Sequence, residues 1–80
     1  MTDLERLKAV IDESGMTMKA IAEKSGIVRE TLYNRLAGIG EFTAREIVGL
    51  TATLHLTNKQ RDEIFLRSGL HEMQQEGGKS

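Results

Sequence analysis

A glycine set four residues after an alanine divides residues 17–38, TMKAIAEKSGIVRETLYNRLAG, into two short helical patterns, and neither has an apolar face wide enough to be buried alone. The first half carries Met18, Ile21 and Ala22 at helical spacing, and the second carries Leu32 and Leu36. Both halves must therefore share one core. Crossing two helices steeply over a turn as short as Ser25-Gly26-Ile27 requires a small residue at the crossing and a turn residue free to take positive φ. Ala22 and Gly26 meet those two needs, Ile27 supplies an apolar plug after the turn, and Gly38 is placed to stop the second helix. This is the pattern of a helix-turn-helix, which points to DNA.

The outward face of the second helix, expected over residues 28–37, reads Arg29, Glu30, Tyr33 and Asn34. Arg can bond a guanine edge bidentately, Asn an adenine edge, and Glu can accept from cytosine. In a helix lying in the major groove, the N-terminal residues are those that reach the bases. The plain alternative for the four is a solvated helix face. For Tyr33 the choice lies between a phosphate or thymine-methyl contact and a half-buried ring beside Arg35.

On the residues AIAEKSGIVRETLYNRLAG (20–38) followed by EFTAREI (41–47), the chain resembles the small Cro- and CI-like phage repressors. These are lambda-repressor-like helix-turn-helix regulators of the XRE family, and the likeness is greatest to short members carried by phages and mobile elements of Gram-positive bacteria. It spans about residues 4–66. The resemblance implies an all-α, five-helix DNA-binding domain whose base-contacting positions fall on Arg29, Glu30, Tyr33 and Asn34. It implies phosphate contacts from Thr17, Met18 and Lys19 at the start of the first motif helix and from the loop after Gly38. Lys19, Arg35 and the loop from Gly38 to Gly40 are expected to hold phosphates. Two positions depart from the family pattern. Met18 stands where many members have a Gln that contacts phosphate and braces a recognition side chain. Val28 stands where Ser or Thr usually caps the recognition helix, so that cap chemistry is missing.

Eighty residues suit one domain, expected over residues 1–68, with 39% hydrophobic residues but only one Tyr and two Phe, so the core is aliphatic. There is no cysteine, which excludes disulfides, thiolate metal sites and zinc fingers. No apolar run approaches the ~18 residues of a membrane span, and residues 1–10 lack the layout of a signal peptide, so a cytoplasmic protein is expected. The net charge of −1 counts against DNA, because neutralised phosphates supply most non-specific affinity. The distribution runs the other way: residues 17–38 hold Lys19, Lys24, Arg29 and Arg35 against Glu23 and Glu30, while Asp3, Glu5, Asp12 and Glu13 make the opening segment acidic. Weak non-specific binding with a shallow salt slope is the expectation.

There is no proline, so breaks must be marked by glycine and by caps. Thr2 with Glu5, Thr43 with Glu46 and Thr57 with Gln60 each match the capping box and signal three helix starts outside the motif. A first helix over residues 3–14 turns Leu4, Leu7 and Ile11 to one side and ends at Gly15. A fourth over residues 44–54 presents Ile47, Leu50 and Leu54, and a fifth from Asn58 brings Ile64 and Phe65 to the core. No segment alternates with the period of a strand. Phe42, just before Thr43, is expected to staple against Ile47 or to close the core beneath the recognition helix, with base stacking as the alternative.

Other chemistry finds little support. Gly38-Ile39-Gly40 follows a helix rather than a strand and lacks the Lys-Ser/Thr pair of a nucleotide loop. His55 and His71 lie in different elements without clustered ligands, and His55 suits the C-terminal end of the fourth helix. No nucleophile, base and orienting group can be assembled, so neither an enzyme, a cofactor, a metal nor a small-molecule ligand is expected. Residues 69–80 are either a tail after Ser68-Gly69 or a helix extension whose Leu66, Leu70 and Met73 form a dimer seam. The expected function is a sequence-specific double-stranded DNA-binding transcriptional regulator, a homodimeric repressor on an operator. The competing expectation is a protein-binding module on the same fold, an antitoxin or an antirepressor.

Overall fold

Short polar side chains start four of the five helices. In the computed structural model, which describes residues 2–66, these are α1 (Leu4–Ser14), α2 (Met18–Ser25), α3 (Arg29–Leu36), α4 (Ala44–Thr53) and α5 (Asn58–Phe65), with no strand among the described residues. Thr43 and Thr57 form the expected boxes: each hydroxyl accepts from the amide three residues on, at 3.2 and 3.1 Å, and Glu46 and Gln60 accept in return from the Thr amides at 3.0 and 2.9 Å. Thr17 caps α2 in the same manner, accepting from the Ala20 amide at 3.0 Å. Each such cap contributes about 1 kcal/mol.

The box expected at Thr2 and Glu5 does not form. Asp3 is the cap of α1, its carboxylate accepting from the Arg6 amide at 3.1 Å. A box on Thr2 would require Asp3 to be helical. Asp3 is extended instead, and its own N–H donates to the Ile64 carbonyl at 2.6 Å, which fastens the start of the chain to α5. Arg6 adds a longer link to Glu63 across the same pair of helices.

Left-handed residues close four of the five described helices, α5 being the exception. Gly26, at φ 77°, ends α2, and the Ile27 N–H returns to the Ala22 carbonyl at 3.0 Å. Gly38, at φ 89°, ends α3 with Ile39 N–H on the Asn34 carbonyl at 2.8 Å. At the end of α4 the same position is held by His55, at φ 56°, with the Leu56 N–H on the Thr51 carbonyl at 2.9 Å. His55 thus ends the helix as expected, through its backbone.

The core is Leu7 and Ile11 from α1, Ile21 and Ala22 from α2, Ile27, Leu32 from α3, Leu50 and Leu54 from α4, and Ile64 and Phe65 from α5. α2 packs chiefly on α4 and secondarily on α3, while α1 and α4 both rest on α5. The tightest approach is one the sequence did not announce. Gly49 of α4 faces the backbone of Ser25, so closely that a Cβ there would overlap the Ser25 carbonyl oxygen. Ser25 is itself buried, and its hydroxyl donates to the Ile21 carbonyl at 2.6 Å. Phe42 packs against the core and meets Phe65 edge-on, ring centroids 5.4 Å apart. Leu4, expected in the core, is half-buried and comes near Gly38, where a Cβ would lie 3.9 Å from its Cδ1. The alternatives for residues 69–80, and His71, fall outside the described residues.

Candidate nucleic-acid interface

α3 is anchored on one side by Leu32, which is wholly buried, with Leu36 half-buried a turn later. Spacing then dictates what the other side carries: Arg29 and Tyr33 are four residues apart, as are Glu30 and Asn34, so the four share one face. All four are exposed, Tyr33 at 52%. Among the described residues no hydrogen bond or ion pair engages any of their side chains. The face is therefore chemically unspent: a guanidinium, a carboxylate, a phenol and an amide held on a rigid helix.

The residues around it fall into two groups. Lys19, in the first turn of α2, is exposed and has no carboxylate partner among the described residues. Beside it, the amides of Met18 and Lys19 have no partner within the helix, whereas that of Ala20 is taken by Thr17. Thr17 is exposed; its oxygen accepts from the Ala20 amide in this cap, and its O–H is left as a donor that a phosphate could take. The Met18 side chain is half-buried and packs on the core, which leaves its backbone N–H as the group able to meet a phosphate. Gly38 and Gly40 are both exposed and left-handed, at φ 89° and 81°.

Arg35 is different, because its charge is already balanced inside the protein. Its Nε stands 3.4 Å from Glu46 Oε1, and its Nη1 donates to the Ile39 carbonyl at 3.4 Å. The two side chains are only 22% and 16% exposed. Gly40 makes room for the guanidinium, which any Cβ there would strike. Since the same Glu46 oxygen also accepts from the Thr43 amide, one carboxylate ties the end of α3, the following loop and the start of α4 together. A pair this enclosed is screened by salt less than an exposed one.

Arg45 was not singled out from the sequence. It is exposed in the first turn of α4, next to Glu46, and pairs with no carboxylate among the described residues. The signal was present, since the Thr43–Glu46 box fixes residues 44–46 as that first turn. A cation there opposes the helix dipole, so its placement costs the fold slightly rather than helping it.

Among the described residues no three His, Cys, Asp or Glu converge as a metal set, and no helix is long and apolar enough to cross a membrane. A shallow hollow between α4 and α5, lined by Val48, Thr51, Ala52, His55, Leu56 and Arg61, brings together no acid–base pair. No model of a known protein family, no curated protein and no solved structure matches this chain.

Proposed function

We propose that this domain is a helix-turn-helix binder of duplex DNA, with α3 as the recognition helix in the major groove, acting as a dimeric transcriptional regulator of the lambda-repressor-like kind on an operator. One observation carries the reading: the exposed face of α3 gathers Arg29, Glu30, Tyr33 and Asn34 with no partner among the described residues, while Leu32 fixes the opposite face. Eight residues of helix are about 12 Å long, comparable to the width of the major groove. Lys19 and the free amides at the start of α2, Arg45 at the start of α4 and the loop from Gly38 to Gly40 are the phosphate-holding groups in this reading. Operator sites for such modules come as paired half-sites, hence the dimer.

Selection from a random duplex pool at low salt by the full chain tests it. A recovered motif with two-fold symmetry, its half-sites centred roughly one helical turn apart, is the expected result. A folded protein that enriches no motif overturns the reading and leaves the protein-binding alternative.

The Arg35–Glu46 pair supplies a second measurement. Glu46→Gln keeps an oxygen for the Thr43 amide and removes the carboxylate charge, so the Arg35 cation loses its counter-charge and is held by the Ile39 carbonyl alone. Non-specific DNA affinity should rise, and its dependence on salt should steepen by up to about one phosphate's worth. An unchanged slope means that Arg35 serves the fold and stays out of reach of the backbone.

A further inference from the structure

We propose that Val28 reads the 5-methyl group of a thymine in the major groove, at the site where the other helices place a capping side chain. This rests on the DNA-binding function proposed above and assigns it one element of sequence preference.

Val28 occupies the N-cap position of α3 with extended backbone, φ −60° and ψ 133°, and makes no side-chain cap bond. α1, α2, α4 and α5 are all capped by Asp or Thr. Among the described helices α3 alone begins without a side-chain cap bond, although Ser, Thr, Asp or Asn there would stabilise the helix. Val28 is also 70% exposed, the most exposed of the large apolar side chains described. It therefore serves neither the helix start nor the core, whereas its neighbour Ile27 is buried and does serve the core.

Its surroundings narrow the ligand. Val28 borders a shallow depression between α2 and the start of α3, lined also by Lys19, Ala22, Glu23, Ile27 and Arg29. An outward isopropyl group thus shares this hollow with two cations, Lys19 and Arg29, and one carboxylate, Glu23, a local charge of +1, and among the described residues neither cation forms an ion pair. That combination suits an apolar group carried on a polyanion. On the major-groove edges of the four base pairs the one apolar group is the C5 methyl of thymine. The start of a recognition helix is the part that approaches base edges most closely. A β-branched side chain is held near one rotamer, so little freedom is lost when it packs on a methyl.

The experiment uses the duplex selected by the full chain, with each thymine replaced in turn by uracil, which removes the methyl and nothing else. The wild type should lose about fourfold in affinity per half-site at one position, the effect of ~0.8 kcal/mol for one buried methyl group. Val28→Ser and Val28→Ala should bind the thymine and uracil duplexes equally at that position. Val28→Ser should meanwhile gain a cap and raise Tm by about 4–8 °C, so the lost discrimination cannot come from unfolding. The proposal is overturned if no uracil position weakens the wild type, if the selected half-site lacks thymine, or if Val28→Ser retains the same uracil penalty. In each of those cases the selected motif still stands, whereas failure to select any motif overturns the DNA-binding reading itself.

Discussion

Gly49→Ala should lower the stability of the domain by about 2 kcal/mol and its Tm by about 8–16 °C, read by thermal unfolding of the purified chain. In an exposed helix interior the same change would stabilise by up to ~1 kcal/mol, because Ala is the better helix former. The sign inverts here because a Cβ on Gly49 would overlap the Ser25 carbonyl oxygen and lie 3.1 and 3.3 Å from the Ser25 carbonyl carbon and Cα. These are backbone atoms and cannot rotate aside. Ser25 is further held by its hydroxyl on the carbonyl of Ile21, and the next residue is the left-handed Gly26 from which the chain turns into α3. Relief must therefore separate α2 from α4, the most extensive helix contact of the domain, and shift α3 with it. DNA affinity should fall in step with stability. An unchanged or raised Tm would show that α2 and α4 have slack between them.

Gly49 also shows where sequence reasoning stops. Residues whose partners lie within four positions along the chain were legible: the Thr43–Glu46 and Thr57–Gln60 boxes, the left-handed Gly26 and the face of α3 all follow from local geometry. Gly49 meets a residue twenty-four positions away, and in the sequence it looks only like a weak point in a helix. The Arg35–Glu46 pair was hidden for the same reason. The position of Arg35 suggests an outward cation, but its partner Glu46 is brought to it by the loop and the start of α4. At the N-terminus two adjacent caps competed, and the bond from the Asp3 amide to Ile64, which no local pattern encodes, decided for Asp3. The missing cap at Val28 could be read from residue type alone. Its exposure and its place in one hollow with Lys19, Glu23 and Arg29 required the packing of α2 against α3.

Arg29→Ala should weaken binding to the selected site by roughly 5- to 150-fold, corresponding to about 1–3 kcal/mol, and relax the preference at one base pair. The residue is the first of α3, exposed and without an ion pair among the described residues, so its removal should leave Tm nearly unchanged, as for other surface positions away from packing or caps. Its planar fork can span the O6 and N7 of a guanine in a fixed geometry, whereas Lys reaches the same edge as a flexible point charge, so Arg29→Lys should restore the non-specific affinity and only part of the base preference. Lys19→Ala and Arg45→Ala are the contrast. Each removes a cation whose expected target is the backbone, so each should weaken all sequences alike and reduce the salt slope by about one. If Arg29→Ala behaves as those two do, its guanidinium lies on a phosphate, and the burden of base recognition passes to Glu30, Tyr33 and Asn34, the remaining groups of that face.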